Sequence, residues 1–435
     1  MDLYNFVSLG GLFVFLLMAY GLSMDRKNIN WAVVIWGVGI QMLIALVLFV
    51  FPVGIKLFVW INRIVIAIMN SSLAGAKFLF GRLAFPPGTS ESGQSSLGFF
   101  LAFQGLPTII FFSALMSLLY YYGILPRIIQ WFARLFSRLM NISGAESLCA
   151  ASNIFVGVES ALTIKPYLNR MTRSELCTVL TAGMATVASN ILAVYTFSLY
   201  KYFPMIAGHL VSASLLSAPA AVVMSKMLLP ESEKPETLGT DIKSYAERED
   251  NVFSAVINGA NNGVRLIVGI AALLIAVLGL VALLDKVLVF TGMRINGLFH
   301  LNLRWSLAGL LGYLFYPLTL LLGIPPHDAG IIAPIIGERG IVTELIAYQH
   351  LADVLRQNLL QNPRSAVIAT YALCGFAHVA SMAIFVGGVS ALAPQKTGVL
   401  GKIAVRSLVA ATLACLLTAC VAGIFFVRGS ILIGS

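Results

Sequence analysis

The chain has 435 residues, of which 59% are hydrophobic and 11% charged, with a formal net charge of +10 and a mean hydropathy of +0.91. Soluble domains carry roughly 25% charged residues, so this composition excludes an ordinary soluble enzyme, a disordered chain, a secreted disulfide scaffold and a soluble nucleic-acid binder. Lys and Arg in cytoplasmic loops account for the basic excess without a nucleic-acid partner.

Lipid admits only helices and closed barrels as spanning structures. The apolar runs here are long and unbroken, not the alternating segments of a barrel, so the expected class is an all-α polytopic membrane protein. A span needs about 20 apolar residues, and eight stretches qualify: 5–24, 31–51, 99–122, 175–200, 204–228, 255–284, 365–391 and 404–427. The opening MDLYNF lacks the basic region of a cleavable signal, so the first run is expected to stay as an anchor. Asp25, Arg26 and Lys27 follow it with no Lys or Arg before it, which puts that loop in the cytoplasm and both termini outside.

Two segments interrupt this pattern. Segment 53–80 is apolar but carries Lys56, Arg63 and Lys77, and is read as interfacial. Segment 124–140 is a basic amphipathic helix suited to the headgroup plane. Arg127, Arg134 and Arg138 are assigned to one face, and Ile128, Phe132, Leu135 and Leu139 to the other. Stretch 230–251, with Glu231, Glu233, Glu236, Glu247, Glu249 and Asp250, reads as a solvated cytoplasmic connector. The five cysteines lie in apolar runs without metal-ligand spacing and read as small buried hydrophobes.

The remaining segments repeat a pattern. NIFVGVESALTIKPYL followed by TAGMATVASNILAVY parallels GERGIVTELIAYQHL followed by YALCGFAHVASMAIFVGG. Each pair places a lone acid, Glu159 or Glu344, in an interrupted apolar hairpin. Each then has a Val-Ala-Ser triplet, 187–189 or 379–381, in the next span. Duplicated units with broken helices mark secondary transporters. A break at membrane depth frees N–H and C=O groups, tolerable only against protein, water, ion or solute. A carboxylate there must face a cavity or a partner. Glu159 and Glu344 are therefore candidate site residues; the bland alternative pairs them with Lys165 and Arg339 to hold the hairpins. Asn153 and Thr186 offer oxygens beside freed carbonyls, as a sodium cage requires, although such residues also bond helix to helix. His378 and Ser381, three apart, share a helical face.

The runs LPTIIFFSALMSLLYYYG (106–123), NIFVG (153–157), KMLLPESEKP (226–235), TELIAY (343–348) and ALCGFAHVASMAIFVGGVSALAP (372–394) resemble the concentrative nucleoside transporter family, in motif order and over essentially the whole chain. The resemblance implies a homotrimer whose protomers have eight transmembrane helices and two re-entrant hairpins in an inverted repeat. It implies elevator-type uptake of a small-molecule solute coupled to sodium or protons, with no cofactor besides the coupling ion. By motif, Glu159 matches an acid that meets the nucleobase and Glu344 one that binds ribose hydroxyls. Ser381 and Phe376 match ribose and base contacts, and Ile191 an apolar contact beneath the base. Asn153, Val156, Thr186 and Val187 match the sodium ligands, the two valines through backbone carbonyls.

Two departures stand out. The family's Gly-Gln-Thr-Glu or Gly-Gln-Ser-Glu is here Gly157-Val158-Glu159, and Val158 offers no polar group to a base edge. The family's Asn on the seventh span is His378, which leaves proton coupling open. The expected function is cation-coupled nucleoside symport in a bacterial inner membrane, an origin inferred from the chain's lack of long termini. An alternative cargo is a non-standard nucleoside or sugar derivative. A remote alternative is an intramembrane enzyme using Pro326-His327-Asp328, disfavoured because no nucleophile, metal or phosphate-loop motif accompanies it. The expected organisation is scaffold spans 1–143, a first repeat 144–228, a polar loop 229–252, a scaffold span 253–304 and a second repeat 305–435.

Overall fold

The computed structural model describes residues 2–86, 89–91, 94–245, 249–299 and 305–427. In chain order the helices are α1 (Leu3–Gly21), α2 (Trp31–Phe49), α3 (Pro52–Phe80), α4 (Leu101–Gln104), α5 (Pro107–Tyr121), α6 (Ile124–Met140), α7 (Gly144–Ser152), α8 (Arg173–Ala185), α9 (Ser189–Leu199), α10 (Ile206–Leu228), α11 (Val252–Phe299), α12 (Leu307–Leu321), α13 (Pro326–Arg339), α14 (Glu344–Arg356), α15 (Pro363–Leu373), α16 (Val379–Leu392) and α17 (Thr397–Ile424). A 3-10 turn, Val158–Ile164, folds back against α7. The only strands among the described residues form a two-residue hairpin ladder, Ser90–Glu91 with Gln94–Ser95.

Eight segments of the described residues are long and apolar enough to cross a membrane. Seven of them coincide with stretches read from sequence, and the eighth does not. The 53–80 segment is one 29-residue helix and qualifies. Its three basic residues leave at most 13 residues between charges, and it qualifies because the mean hydropathy stays high across a charged position. The predicted span 365–391 is two helices, α15 and α16, separated at 374–378. The predicted span 175–200 qualifies as Arg173–Leu199, with its helix interrupted between α8 and α9 at 186–188. On α6 the buried stripe is Leu125, Ile129, Ala133, Phe136 and Met140, whereas Ile128 is exposed. Packing against α7 selects a stripe rotated by one residue from the predicted one.

The repeat is visible in element order. The series α7, 3-10 turn, α8, α9, α10 corresponds to α13, α14, α15, α16, α17. Both hairpin-opening helices begin under side-chain control of their orphan N–H groups. Ser143 and Glu146 form a capping box on α7, as do Thr172 and Glu175 on α8. In the second repeat Asp328, in the first turn of α13, accepts from the Gln361 and Asn362 amides (3.0 and 3.1 Å) and the Ser365 hydroxyl (2.6 Å). That role, tying α13 to the start of α15, is what the His327-Asp328 pair does.

Arg364 is fully buried where four helices meet. Its guanidinium donates to the carbonyls of Tyr4, Gly323 and Gly423, to Asn5 Oδ1 and to the Ser8 hydroxyl, at 2.7–3.1 Å. Carbonyls at the C-terminal ends of α12 and α17 carry partial negative charge and stand in for a carboxylate. Through this group α1 is joined to the second repeat.

The connector after α10 is not free. Lys226 Nζ bonds Glu146 (2.5 Å), Glu231 (3.2 Å) and the Ser174 hydroxyl (3.0 Å), all in or beside the first repeat. Downstream, Thr237 Oγ1 accepts from the Ala145 amide, and Glu236 pairs with Arg170. Asp241 pairs with Arg134 of α6, and the Tyr245 amide donates to Thr163 O. The loop is largely exposed, as its charge suggests, and paired charges and main-chain bonds lay its first half across the base of the hairpin.

Gly375 opens the α15–α16 break with φ +139°. A Cβ there would stand 2.8 Å from Ala185 O and 2.6 Å from Cys415 Sγ. Gly375→Ala is expected to cost about 2 kcal/mol, combining a disallowed φ with a backbone clash. Thermal unfolding of purified protein in detergent checks this; an unchanged midpoint would show that the break relaxes freely.

Candidate functional site

The chain breaks bring the site together. The end of the first hairpin helix meets the α8–α9 break, because the Ser189 amide donates to Phe155 O (3.0 Å). Ser214 of α10 reaches both sides, donating to Ile154 O (2.9 Å) and approaching Val187 O (3.4 Å). Asn153 ends α7 and Thr186 ends α8, so both stand where helix carbonyls lack intrahelical partners. Asn153 is fully buried. Its amide nitrogen donates to Cys149 O (2.9 Å), and its Oδ1 is a buried acceptor without a hydrogen-bond partner. Thr186 Oγ1 donates to Ala182 O (2.9 Å), which leaves its lone pairs available. An orphaned amide oxygen, a hydroxyl and freed carbonyls suit a hard monovalent cation. Val187 is buried and Val156 partly so, each within a residue or two of these groups.

The second acid sits in a denser setting. Glu344 opens α14 and is 4% exposed. Its Oε1 accepts from the Tyr195 hydroxyl of α9 at 2.6 Å, and its Oε2 lies 2.9 Å from His378 Nε2. His378 caps α16: its Nδ1 accepts from the Ser381 amide (3.2 Å), and Nε2 is 2.6 Å from the Ser381 hydroxyl. Tyr195 stacks on Tyr348 with ring centroids 4.5 Å apart, which fixes the hydroxyl's direction. Glu344 with Tyr195, and His378 with Ser381, thus form two buried hydrogen-bonded pairs that meet where Nε2 of His378 stands 2.9 Å from the unpartnered Oε2 of Glu344.

Glu159 stands apart from those pairs. It lies in the first turn of the 3-10 segment, with its carboxylate turned back onto the Gly157 backbone N–H, and Tyr120 of α5 is within its electrostatic range. The 3-10 segment packs on α16, which carries the second acid's partner. Glu159 and Phe376 are partly exposed, and Ile191 of α9 is buried. Val158 begins the 3-10 segment; its side chain lies outside the described residues.

Among the described residues no ion pair joins Glu159 to Lys165 or Glu344 to Arg339: Arg339 donates to Ala372 O, and the Lys165 ammonium lies over the Tyr245 ring. Tyr195 is the one contact to Glu344 that sequence reading omitted. Its signal was present: it follows Ile191 by four residues and so shares a helical face with it.

The family profile described as "Na+ dependent nucleoside transporter C-terminus" matches residues 209–423, that for the N-terminus matches 10–83, and one described as "Nucleoside recognition" matches 102–201. Solute carrier family 28 member 3 of Mus musculus is 36% identical over 97% of the chain, and sodium/nucleoside cotransporter 2 of Rattus norvegicus is 31% identical over 98%. The chain spans 59% and 63% of those two proteins' lengths. Among solved structures, CNTnw in an inward-facing substrate-bound state is 32% identical with TM-score 0.86, over 97% of this chain and 98% of that one. A CNTnw double variant in an outward-facing state is 31% identical with TM-score 0.87, over 98% of each chain.

Proposed function

The chain belongs to the sodium-dependent, concentrative nucleoside transporter family, and from that premise we propose that it carries nucleosides across the inner membrane by alternating access, driven by sodium. The observation that carries the sodium part is the orphaned, buried Asn153 Oδ1 beside Thr186 at two converging helix ends. On this reading Asn153, Thr186 and the carbonyls of Val156 and Val187 hold the ion. Glu344 and Ser381 bind ribose hydroxyls, while Glu159, Val158, Phe376 and Ile191 surround the base. Sodium stiffens the junction of the first hairpin with α9, whose Tyr195 orients Glu344. Ion binding therefore raises solute affinity, and linkage makes solute raise sodium affinity by the same factor.

The moving body comprises repeats 144–228 and 305–435. Helices α1 and α2 pack on α17 and α10, so this reading departs from the expected scaffold 1–143 by letting them travel with the repeats, while α5 and α11 stay fixed. The 48-residue α11 is apolar and almost wholly exposed, which supports a homotrimer assembled around it. Both termini are assigned to the periplasmic side from Arg26 and Lys27.

Uptake of uridine and inosine into proteoliposomes, with and without an inward sodium gradient, tests the coupling. Uptake is expected to need sodium. Uptake that persists without sodium and collapses with a protonophore would assign coupling to protons through His378 and Glu344.

One observation favours a second reading of the cargo. Glu344 Oε1 already accepts from Tyr195, and the His378 imidazole stands 2.9 Å from Oε2, which has no hydrogen-bond partner of its own. A standard ribose must share or displace the imidazole, so a modified nucleoside or sugar derivative is the competing cargo. His378→Asn is expected to lower the KM for uridine by about 5- to 10-fold, the worth of one hydrogen bond to an Oε2 that the imidazole no longer crowds. An unchanged KM would show that His378 does not set specificity.

A further inference from the structure

The two repeats differ in what stands where their hairpin helix and their broken helix end together. In the first, α7 and α8 end at Asn153 and Thr186, and the convergent groups are uncharged oxygens. In the second, α13 and α15 end at Gly340 and Cys374, and a cation is already there. Arg339, the last residue of α13, is 1% exposed, and its guanidinium donates to Ala372 O in the final turn of α15. Its Nε has no hydrogen-bond partner, and no carboxylate among the described residues pairs with it. The neighbouring Glu338 is engaged by His350 instead.

The two breaks also adjoin. Cys415 of α17 lies 2.9 Å from Cys374 O and 3.7 Å from Ala185 O, and Gly375 lies against the Ala185 carbonyl. The corresponding α10 touches the first break through Ser214, so each break has one helix end, one hairpin end and one supporting helix. Converging helix C-termini concentrate partial negative charge and favour a cation between them. A buried guanidinium with no acid is costly unless it meets that need.

We propose that the Arg339 guanidinium is a built-in replacement for a second sodium ion, so that Arg339 limits the transporter to one sodium per solute. This rests on the sodium site proposed above at Asn153 and Thr186. A diffusible cation completes the first repeat, and a covalently attached one completes the second.

The experiment counts ions in reconstituted protein by parallel radiolabelled sodium and uridine fluxes, and follows thermal stability against sodium with choline as the control. Wild type is expected to carry one sodium per uridine with a Hill coefficient of about 1. Arg339→Asn removes the cation and restores an amide oxygen. It is expected to raise the Hill coefficient towards about 2 and to steepen the dependence of unfolding temperature on sodium about twofold, because a second ion now binds the folded state. Arg339→Lys keeps the charge and is expected to behave as wild type. A wild-type ratio of two sodium ions per uridine overturns the proposal. So does Arg339→Asn protein that folds with unchanged sodium dependence, or that stays unfolded at every sodium concentration while Arg339→Lys folds. Sodium-independent wild-type uptake would instead refute the underlying sodium reading, and is visible before any variant is made.

Discussion

Glu344→Gln is expected to lower kcat/KM for uridine uptake at least about 100-fold while the protein still assembles in the membrane. Glu344 is 4% exposed; its Oε1 accepts from Tyr195 at 2.6 Å, and its Oε2, without a hydrogen-bond partner, lies 2.9 Å from His378 Nε2 and is open to solute hydroxyls. A carboxylate can accept from Tyr195 and still offer lone pairs to solute hydroxyls; an amide has one accepting oxygen and turns an N–H towards a partner. Hydrogen bonds to a charged group contribute about 1.5–3 kcal/mol each, so losing two corresponds to about 3–6 kcal/mol, two to four decades of rate. Tyr195→Phe removes only the orienting hydroxyl and serves as a graded control, with a loss nearer tenfold. Initial uptake rates normalised to membrane protein decide it. Glu344→Gln protein retaining half its uptake would remove Glu344 from the site.

Asn153→Leu is expected to raise the sodium concentration for half-maximal uptake by at least about 30-fold, equivalent to about 2 kcal/mol. Leucine nearly matches asparagine in volume but offers no oxygen, and the site loses its orphaned Oδ1. The amide's bond to Cys149 O disappears as well, so a general loss of stability must be separated from a loss of ion binding. Reciprocity supplies the separation: uridine affinity at saturating sodium should approach the wild-type value, while at low sodium it should fall. A variant equally impaired at all sodium concentrations would point to misfolding, and one with an unchanged sodium requirement would move the ion elsewhere.

Much of this molecule was legible because the bilayer leaves few solutions. Apolar runs of membrane length announced helices, and lone acids among small polar residues announced breaks. The matched Glu and Val-Ala-Ser positions announced a duplication. Segment 53–80 shows the limit of composition: a 29-residue apolar helix with three basic residues is compatible with spanning the bilayer and with lying along it. The loop after Leu228 is largely exposed, as its acids suggest, but charge alone did not show that Lys226, Arg170 and Arg134 tether it to the first repeat and α6. The stripe on α6 was off by one residue because periodicity gives the width of an apolar face but its neighbour chooses the centre.

Sequence by itself determined that the chain is helical and membrane-embedded, that it is internally duplicated, and which acids and oxygens are candidates for chemistry. Those properties depend on composition and on spacings of a few residues, where backbone geometry fixes the outcome. Tertiary structure alone decided who pairs with whom. Glu344 meets Tyr195 and His378 across separate helices, Arg364 draws carbonyls from α1, α12 and α17, and Arg339 turns to a helix end instead of an acid. These choices follow from desolvation. Once a charged group is buried, it must take the nearest group that can satisfy it, and nearness is set by packing among segments far apart in the chain.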